Sequence, residues 1–529
     1  MAFDVIVIGS GFGGAITGCR LAEAGYKVLI LERGRRWDKT TYPRKPGDPW
    51  TWNSRHPEKE NGWLELHTFS HMAVAQGAAV GGGSLIYANI SCEAHPETFQ
   101  TGWPQEITYD ELKPHYDTVK TFMNVQPVPD NQWTERMKLM KLGAEKIGQP
   151  QRFQKLELAV TFDPNFTYEQ DDPHNPAKSK RFTNAQGVQQ GTCVHLGNCD
   201  IGCDVDARNT LDRNYIPAAE KHGAEVRALT LVTDIEPVDG GYRVHFDRLD
   251  TGERVPGSET ARIVIVAASS LGSTELLLRC RDISRTLPNI SQFLGHDWSS
   301  NGDFLTPAFY PRMNVLPSTG PTIACAIDFH DRSIDGQSFW IEDGGFPNLL
   351  VDYVRAKQQG PGADGLYAKL LLDAFGHMLR NDNDQLFHNV MPWFAQGVDA
   401  ANGILSLKHD LLSGDRHLSL DWEIEKSSEV IETIIATHLK LSAATGGHPV
   451  VPPTWSLFKY LVTPHPLGGC CMGDSPADGV VNHAGEVFGY RNLYVADAAI
   501  IPEALGVNPS RTIGALAERV AKLIIAQGR

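Results

Sequence analysis

The segment "VIVIGSGFGGAITGCRLAEAGYKVLILE", residues 5–32, constrains this chain more than any other. Val5 to Ile8 reads as a buried strand, Gly11 to Ala24 as a helix, and Lys27 to Leu31 as a second strand closing on Glu32. Gly9, Gly11 and Gly14 fall on the turn between the first strand and the helix, with Phe12 opening the helix. Glycine at these places permits a tight turn, lets a pyrophosphate reach backbone N–H groups at a helix start, and allows helix and strand to pack closely. Glu32 stands at the second strand's end, where a carboxylate can accept the two ribose hydroxyls of an adenosine. Strand, helix and acid in register predict a parallel α/β fold that binds a dinucleotide.

At 529 residues the chain exceeds what one hydrophobic core usually supports, so two interlocked domains are expected. Acidic residues outnumber Lys and Arg by 63 to 48, a formal charge of -15 with no basic run. This balance excludes nucleic acid and anionic membrane surfaces as natural partners and favours small neutral or cationic ones. The opening residues lack the basic start, long apolar core and cleavage site of an export signal, and no stretch is long and apolar enough to span a bilayer. With nine cysteines, an odd number, the expectation is reduced thiols and a cytoplasmic location.

Two further glycine-bearing regions extend the pattern. "GAAVGGGSLIYAN", residues 77–89, places four glycines ahead of a β-prone run, suited to a loop whose backbone presses against a flat or charged ligand. Near the C-terminus, Leu493 to Ala496 reads as a buried strand ending in Asp497. Pro509 then suits the first turn of a helix, with Ile513, Leu516, Ala517, Val520, Leu523 and Ile524 at helical spacing. Between these, "LVTDIEPVDGGYRVHFDRL" alternates like a hairpin around Gly240 and Gly241, and "ARIVIVAASSLGS" reads as a buried strand leading into a helix.

Four ordered stretches carry a family resemblance: Gly81 to Leu85, Leu271 to Leu277, His465 to Cys470, and Gly506 to Pro509. In this order they resemble the glucose-methanol-choline (GMC) family of FAD oxidoreductases, and most of all its cholesterol oxidase branch. The likeness spans nearly the whole chain and is thin through roughly 300–455. It implies a Rossmann-like FAD-binding domain assembled from residues 1–120, 190–300 and 460–529. Residues 121–189 and 301–459 then form a substrate domain of antiparallel sheet plus helices. The implied activity is oxidation of the CH–OH group of a bulky, apolar secondary alcohol, with oxygen or another acceptor reoxidising the flavin. A dehydrogenase passing electrons to a protein or quinone is the alternative.

The resemblance also implies site residues. Gly77, Gly82, Gly83, Tyr87, Ala88 and Ile90 are expected against the cofactor beside Gly9, Gly11, Phe12, Gly14 and Glu32. Val232 is expected to touch the adenine, Asp497 and Ala498 the ribityl chain, and Asn508 and Pro509 the flavin. Alcohol oxidation removes a hydroxyl proton and a carbon-bound hydride, so a proton acceptor must stand beside the flavin. His465, set between Pro464 and Pro466, suits that task because a neutral imidazole can accept at pH 7. Gly468 and Gly469 are expected to let the chain pass close to the flavin ring. Asn508 is expected to donate to the substrate oxygen, although Asn before Pro at a helix start is equally an ordinary N-cap.

Three expectations concern departures from the family pattern. The sterol oxidases carry a glutamate that moves a proton during double-bond migration, but "LFHN", 386–389, offers no acid; Glu342 is expected to be an exposed turn residue, with the space of that glutamate as the alternative. Cys193, Cys199 and Cys203 lie near His195 in "CVHLGNCDIGC", where an iron–sulfur cluster is chemically reasonable and unbound thiols equally so. No other metal site is expected. His71, ten residues before Gly81, is expected to carry no covalent flavin. Aromatic stretches between 338 and 398 are expected to be mostly core, with some lining a greasy pocket.

Overall fold

The computed structural model describes residues 1–45, 47–167, 175–347, 388–409 and 416–528. The expectation of an apolar pocket lining from residues 365–379 lies outside them.

The opening segment folds as its pattern dictates, with strand Phe3–Ile8, helix Phe12–Glu23 and strand Val28–Leu31. Val5, Ile6 and Val7 are fully buried, which explains why the first strand is a continuous apolar run and not an alternating one: its two faces enter two separate apolar cores, Val5 and Val7 in one and Ile6 and Ile8 in the other. Phe3–Ile8 pairs in parallel with Val28–Leu31 on one side and with the long strand Val255–Val266 on the other. The sheet has seven strands in all, with Glu225–Arg227 beyond Val28–Leu31, and Gly241–Arg248 and Thr230–Val238 forming the antiparallel hairpin on the far side. Leu493–Val495 enters in parallel beside Val264 to Val266, so the C-terminal part of the chain returns to the first strand's own layer.

Helix Ser510–Ala526 then packs beside Phe12–Glu23. Arg20 clasps Glu518 with a two-pronged contact at 2.8 Å, which locks two helices nearly 500 residues apart in sequence. Close packing at the glycine turn is a steric necessity, since a Cβ on Gly14 would stand 2.0 Å from the Gly9 carbonyl oxygen.

A second sheet of six strands is antiparallel throughout, in the order His448–Pro449, Phe304–Phe309, Val390–Gly397, Phe339–Asp343, Cys325–Asp328 and Phe153–Lys155. Helices Glu135–Lys146 and Ser428–Thr445 pack on it. All five residues of Phe339–Asp343 are buried. The buried ion pair Arg136–Asp343 holds that strand's end, with the guanidinium also donating to the carbonyls of Thr319, Pro321 and Thr322. Such saturation is what makes a buried pair tolerable. A three-stranded sheet, in which Leu461–Thr463 runs parallel to Met72–Gly77, delivers the chain to His465. No helix among the described residues is long and apolar enough to cross a membrane.

Candidate active site

The expected phosphate end is open in the manner a dinucleotide needs. The helix Phe12–Glu23 has no side-chain cap and no acid in its first turn, so its leading N–H groups keep their donor capacity and positive potential. Gly82, at φ +53°, stands so near this turn that a Cβ on it would lie 2.6 Å from Gly11 Cα, while Gly83 faces open space. A Cβ on Gly77 would meet the Gly82 carbonyl at 2.7 Å. Phe12 packs edge-on against Tyr87, their rings 5.6 Å apart. The open N–H groups of this helix start and the side-chain-free surface of Gly82 and Gly83 fit a dinucleotide cofactor such as FAD, and Val232 is half-buried on Thr230–Val238.

One residue that motif reasoning missed holds this arrangement together. The Arg208 guanidinium donates to the carbonyls of Ser84, Leu85 and Tyr87 and to Asn89 Oδ1, at 2.6–3.1 Å. It therefore fixes the glycine-rich loop from behind. Ile90 contributes through its carbonyl, which accepts from Ser510 Oγ at 2.7 Å and ties the loop to the last helix.

Two carboxylates expected at the cofactor are already well occupied by protein. Glu32 Oε2 accepts from Ser10 N and Oγ at 3.0 and 2.7 Å, and Oε1 accepts from Gly34 N at 2.9 Å. Burial nevertheless pushes the Glu32 carboxyl up. Asp497 accepts from Ser269 N, Ser273 Oγ and Ala499 N, joining helix Ser269–Asp282 to the 498–500 turn, and burial raises it to about 6. Ala498 offers its carbonyl to Gly468 N at 3.0 Å. The glycines after His465 are required by packing: a Cβ on Gly468 would lie 2.0 Å from the Asp297 carbonyl oxygen and one on Gly469 2.2 Å from Thr274 Oγ1.

His465 is mostly buried, and its Nδ1 stands 2.9 and 3.0 Å from the two oxygens of Asp303, which is fully buried. The nearby Thr463 hydroxyl donates to Asp303 Oδ2 at 2.5 Å and accepts from His465 N at 2.8 Å. A carboxylate facing Nδ1 holds the proton there and leaves Nε2 as the acceptor. Burial raises Asp303 above the usual carboxylate range, and the imidazole beside it pulls the other way. Phe394, with its ring 6.4 Å from that of His465, walls the site.

Asn508 is buried with its Oδ1 unpartnered in the protein, and helix Ser510–Ala526 receives no side-chain cap. The amide is thus not the N-cap that its place before Pro509 suggests. Its backbone is held by Asn301, whose Oδ1 accepts from Leu505 N and Gly506 N and whose Nδ2 donates to the Val507 carbonyl, at 2.9–3.0 Å.

Glu342 corrects an expectation. It is no exposed turn residue but sits mid-strand, paired with Phe394 and fully buried. Gln396 Nε2 donates to its Oε2 at 3.0 Å, and the Gln396 amide oxygen is in turn fixed by Trp340 Nε1. Burial pushes the Glu342 carboxyl well above its ordinary value; Gln396 and, more weakly, Asn508 oppose this, while Asp343 and Asp303 add to it. Motif reading missed it because its neighbours in "SFWIEDGGF" resemble a turn, whereas pairing on both edges makes the segment a central strand.

The three cysteines near 200 border one small cavity with Arg208 and Gly320. Among the described residues their sulfur atoms do not come within 4.8 Å of one another as a set of three, and burial raises Cys193, Cys199 and Cys203 alike. His71 is exposed and its Nδ1 meets the Phe458 carbonyl oxygen at 3.3 Å.

With a glycine-rich turn on the parallel strands of its first sheet and a buried antiparallel second sheet, the chain is an FAD-dependent alcohol oxidoreductase, as its relatives show. Residues 424–517 match the family model for GMC oxidoreductases, and residues 7–38 that of an NAD(P)-binding Rossmann-like domain. Cholesterol oxidase of Acinetobacter baumannii is 31% identical over 99% of this chain and 95% of its own length. That of Mycobacterium tuberculosis is 30% identical over 98% and 91%. Pyridoxine 4-oxidase from Mesorbium loti shares the fold end to end at 14% identity and a TM-score of 0.66. The chain belongs to the GMC oxidoreductase family, in its cholesterol oxidase-like branch.

Proposed function

We propose that this enzyme oxidises a bulky, mostly apolar secondary alcohol of sterol type to the ketone, with His465 as acceptor of the hydroxyl proton. The carrying observation is the Asp303–His465 contact, which places the Nδ1 proton against a buried carboxylate and leaves Nε2 basic. FAD, held by the cofactor residues named above, would supply the hydride acceptor, with oxygen or another acceptor as the final oxidant. Asn508 donates its amide to the substrate oxygen as charge develops there. The adenine, pyrophosphate and ring contacts fall to the cofactor residues named above, with residues 1–120, 190–300 and 460–529 as the flavin domain. Full-length similarity to cholesterol oxidases supports the sterol class.

Glu342 extends the reading to double-bond migration. A carboxylate whose pKa burial has raised is a stronger base than one in water, and it can exchange a proton with a substrate carbon beside the new ketone. The test is an anaerobic panel of sterols, terpenoid alcohols, long-chain alcohols and sugars, following bleaching of the flavin band at about 450 nm. Fast bleaching by sterols alone is expected. Bleaching by sugars or short alcohols in preference would overturn the substrate class.

A further inference from the structure

Outside the flavin site, His95, Asp328 and His330 form a compact cluster whose ligand atoms all lie within 4.8 Å of one another. Among the described residues it is the grouping of three such side chains that meets this spacing. Asp328 closes strand Cys325–Asp328, His330 follows two residues later, and His95 comes from the loop before the 96–100 turn. The cluster therefore joins the second sheet to the segment that follows the glycine-rich loop.

Its hydrogen bonds assign the imidazole protons. His330 Nε2 stands 3.0 Å from the Gly506 carbonyl oxygen, which can only accept, so Nε2 carries the proton. Nδ1 stands 2.9 Å from Asp328 Oδ1, which also accepts from His330 N at 2.8 Å, so this contact needs either a second ring proton or a metal ion between the two atoms. A cation shared by the two makes that contact attractive. His95 Nε2 reaches the other Asp328 oxygen at 3.5 Å; its ring stacks on that of His330 with centroids 4.0 Å apart, so the partly exposed His95 ring must turn before both imidazole lone pairs point at one ion. Donors on metal bonds of about 2.0–2.1 Å stand about 2.9–3.4 Å apart at octahedral to tetrahedral angles, which brackets the shorter contact and nearly reaches the longer.

We propose that His95 Nε2, Asp328 and His330 Nδ1 form a site for a divalent transition metal ion of the Zn2+ type, distinct from the flavin centre. Two imidazoles and a carboxylate are a borderline donor set that suits such an ion better than Ca2+ or Mg2+. The donation of His330 Nε2–H to a backbone carbonyl is the outer contact that metal-bound histidines usually make. His95 and Asp328 side chains retain 30% and 27% exposure, which leaves a side for water as the remaining ligand, whereas His330 is buried at 5%. The ion would fasten the Gly506 carbonyl, two residues before Asn508, to the second sheet.

The test uses the FAD-loaded full chain, stripped with chelator and desalted, then dialysed to equilibrium against ZnCl2 with bound zinc counted by mass spectrometry. One saturable Zn2+ per chain is expected. His95→Gln and Asp328→Asn should each weaken it at least about tenfold, the loss of one ligand from a small set, while His71→Ala should leave it unchanged. Flavin absorbance serves as the folding control; His95, in a loop and partly exposed, decides the matter if the Asp328 variant does not fold. X-ray absorption at the zinc edge should report two imidazoles. Absence of stoichiometric Zn2+ in the wild type, as a second proton bridging His330 and Asp328 would give, overturns the proposal. So does stoichiometric binding that survives His95→Gln undiminished.

Discussion

Asp303→Asn tests the catalytic reading at its base. The substitution keeps size and shape, and the amide oxygen can still accept from His465 Nδ1, so the ring's orientation survives. What disappears is a negative charge 2.9 Å from Nδ1 in a fully buried position. That charge matters most when Nε2 takes the substrate proton and the ring becomes an imidazolium. A hydrogen bond to a charged group contributes about 1.5–3 kcal/mol, which at 1.36 kcal/mol per decade corresponds to a fall of about 10- to 150-fold in the rate of flavin reduction. The loss should appear in kcat, since the interaction strengthens only as the proton moves, with KM little changed. Anaerobic stopped-flow at about 450 nm measures the step directly, and FAD content is the control. A wild-type reduction rate in a fully flavinated variant would refute the assignment of Nε2 as the acceptor.

Gly82→Ala should yield protein with little FAD, because its Cβ would lie 2.6 Å from the Gly11 backbone at a φ of +53°; the ratio of flavin to protein absorbance reads this out. Glu342→Gln should remove steroid double-bond migration while leaving alcohol oxidation, as product analysis would report. The same variant should alter stability in a pH-dependent way. The Glu342 carboxyl is raised in the folded state, so wild-type stability declines as pH rises from the unfolded value of 4.5 towards the folded one. The variant lacks that decline, and its thermal midpoint relative to wild type should rise over the same window.

The sequence by itself determined the dinucleotide layer, because a buried parallel strand, a glycine turn and a helix are written in contiguous residues whose periodicity and backbone freedom are local properties. His465 and Asn508 stood out as candidates for a related reason: each sits in a short stretch, "TPHPLGGC" or "GVNPS", where prolines restrict the backbone and glycines let it take conformations closed to other residues. The partners of these residues were not legible. Asp303 lies 162 residues from His465, Arg208 about 120 from the loop it braces, and Asn301 over 200 from the segment it clamps. Glu342 was mistaken for a surface acid because exposure is not a property of a residue or its neighbours in sequence. Only the pairing of its strand with Val390–Gly397 on one edge and Cys325–Asp328 on the other buried it. Tertiary packing sets the dielectric around a carboxyl and the distance to its partners, and those two quantities decide which acids and imidazoles of this chain carry chemistry.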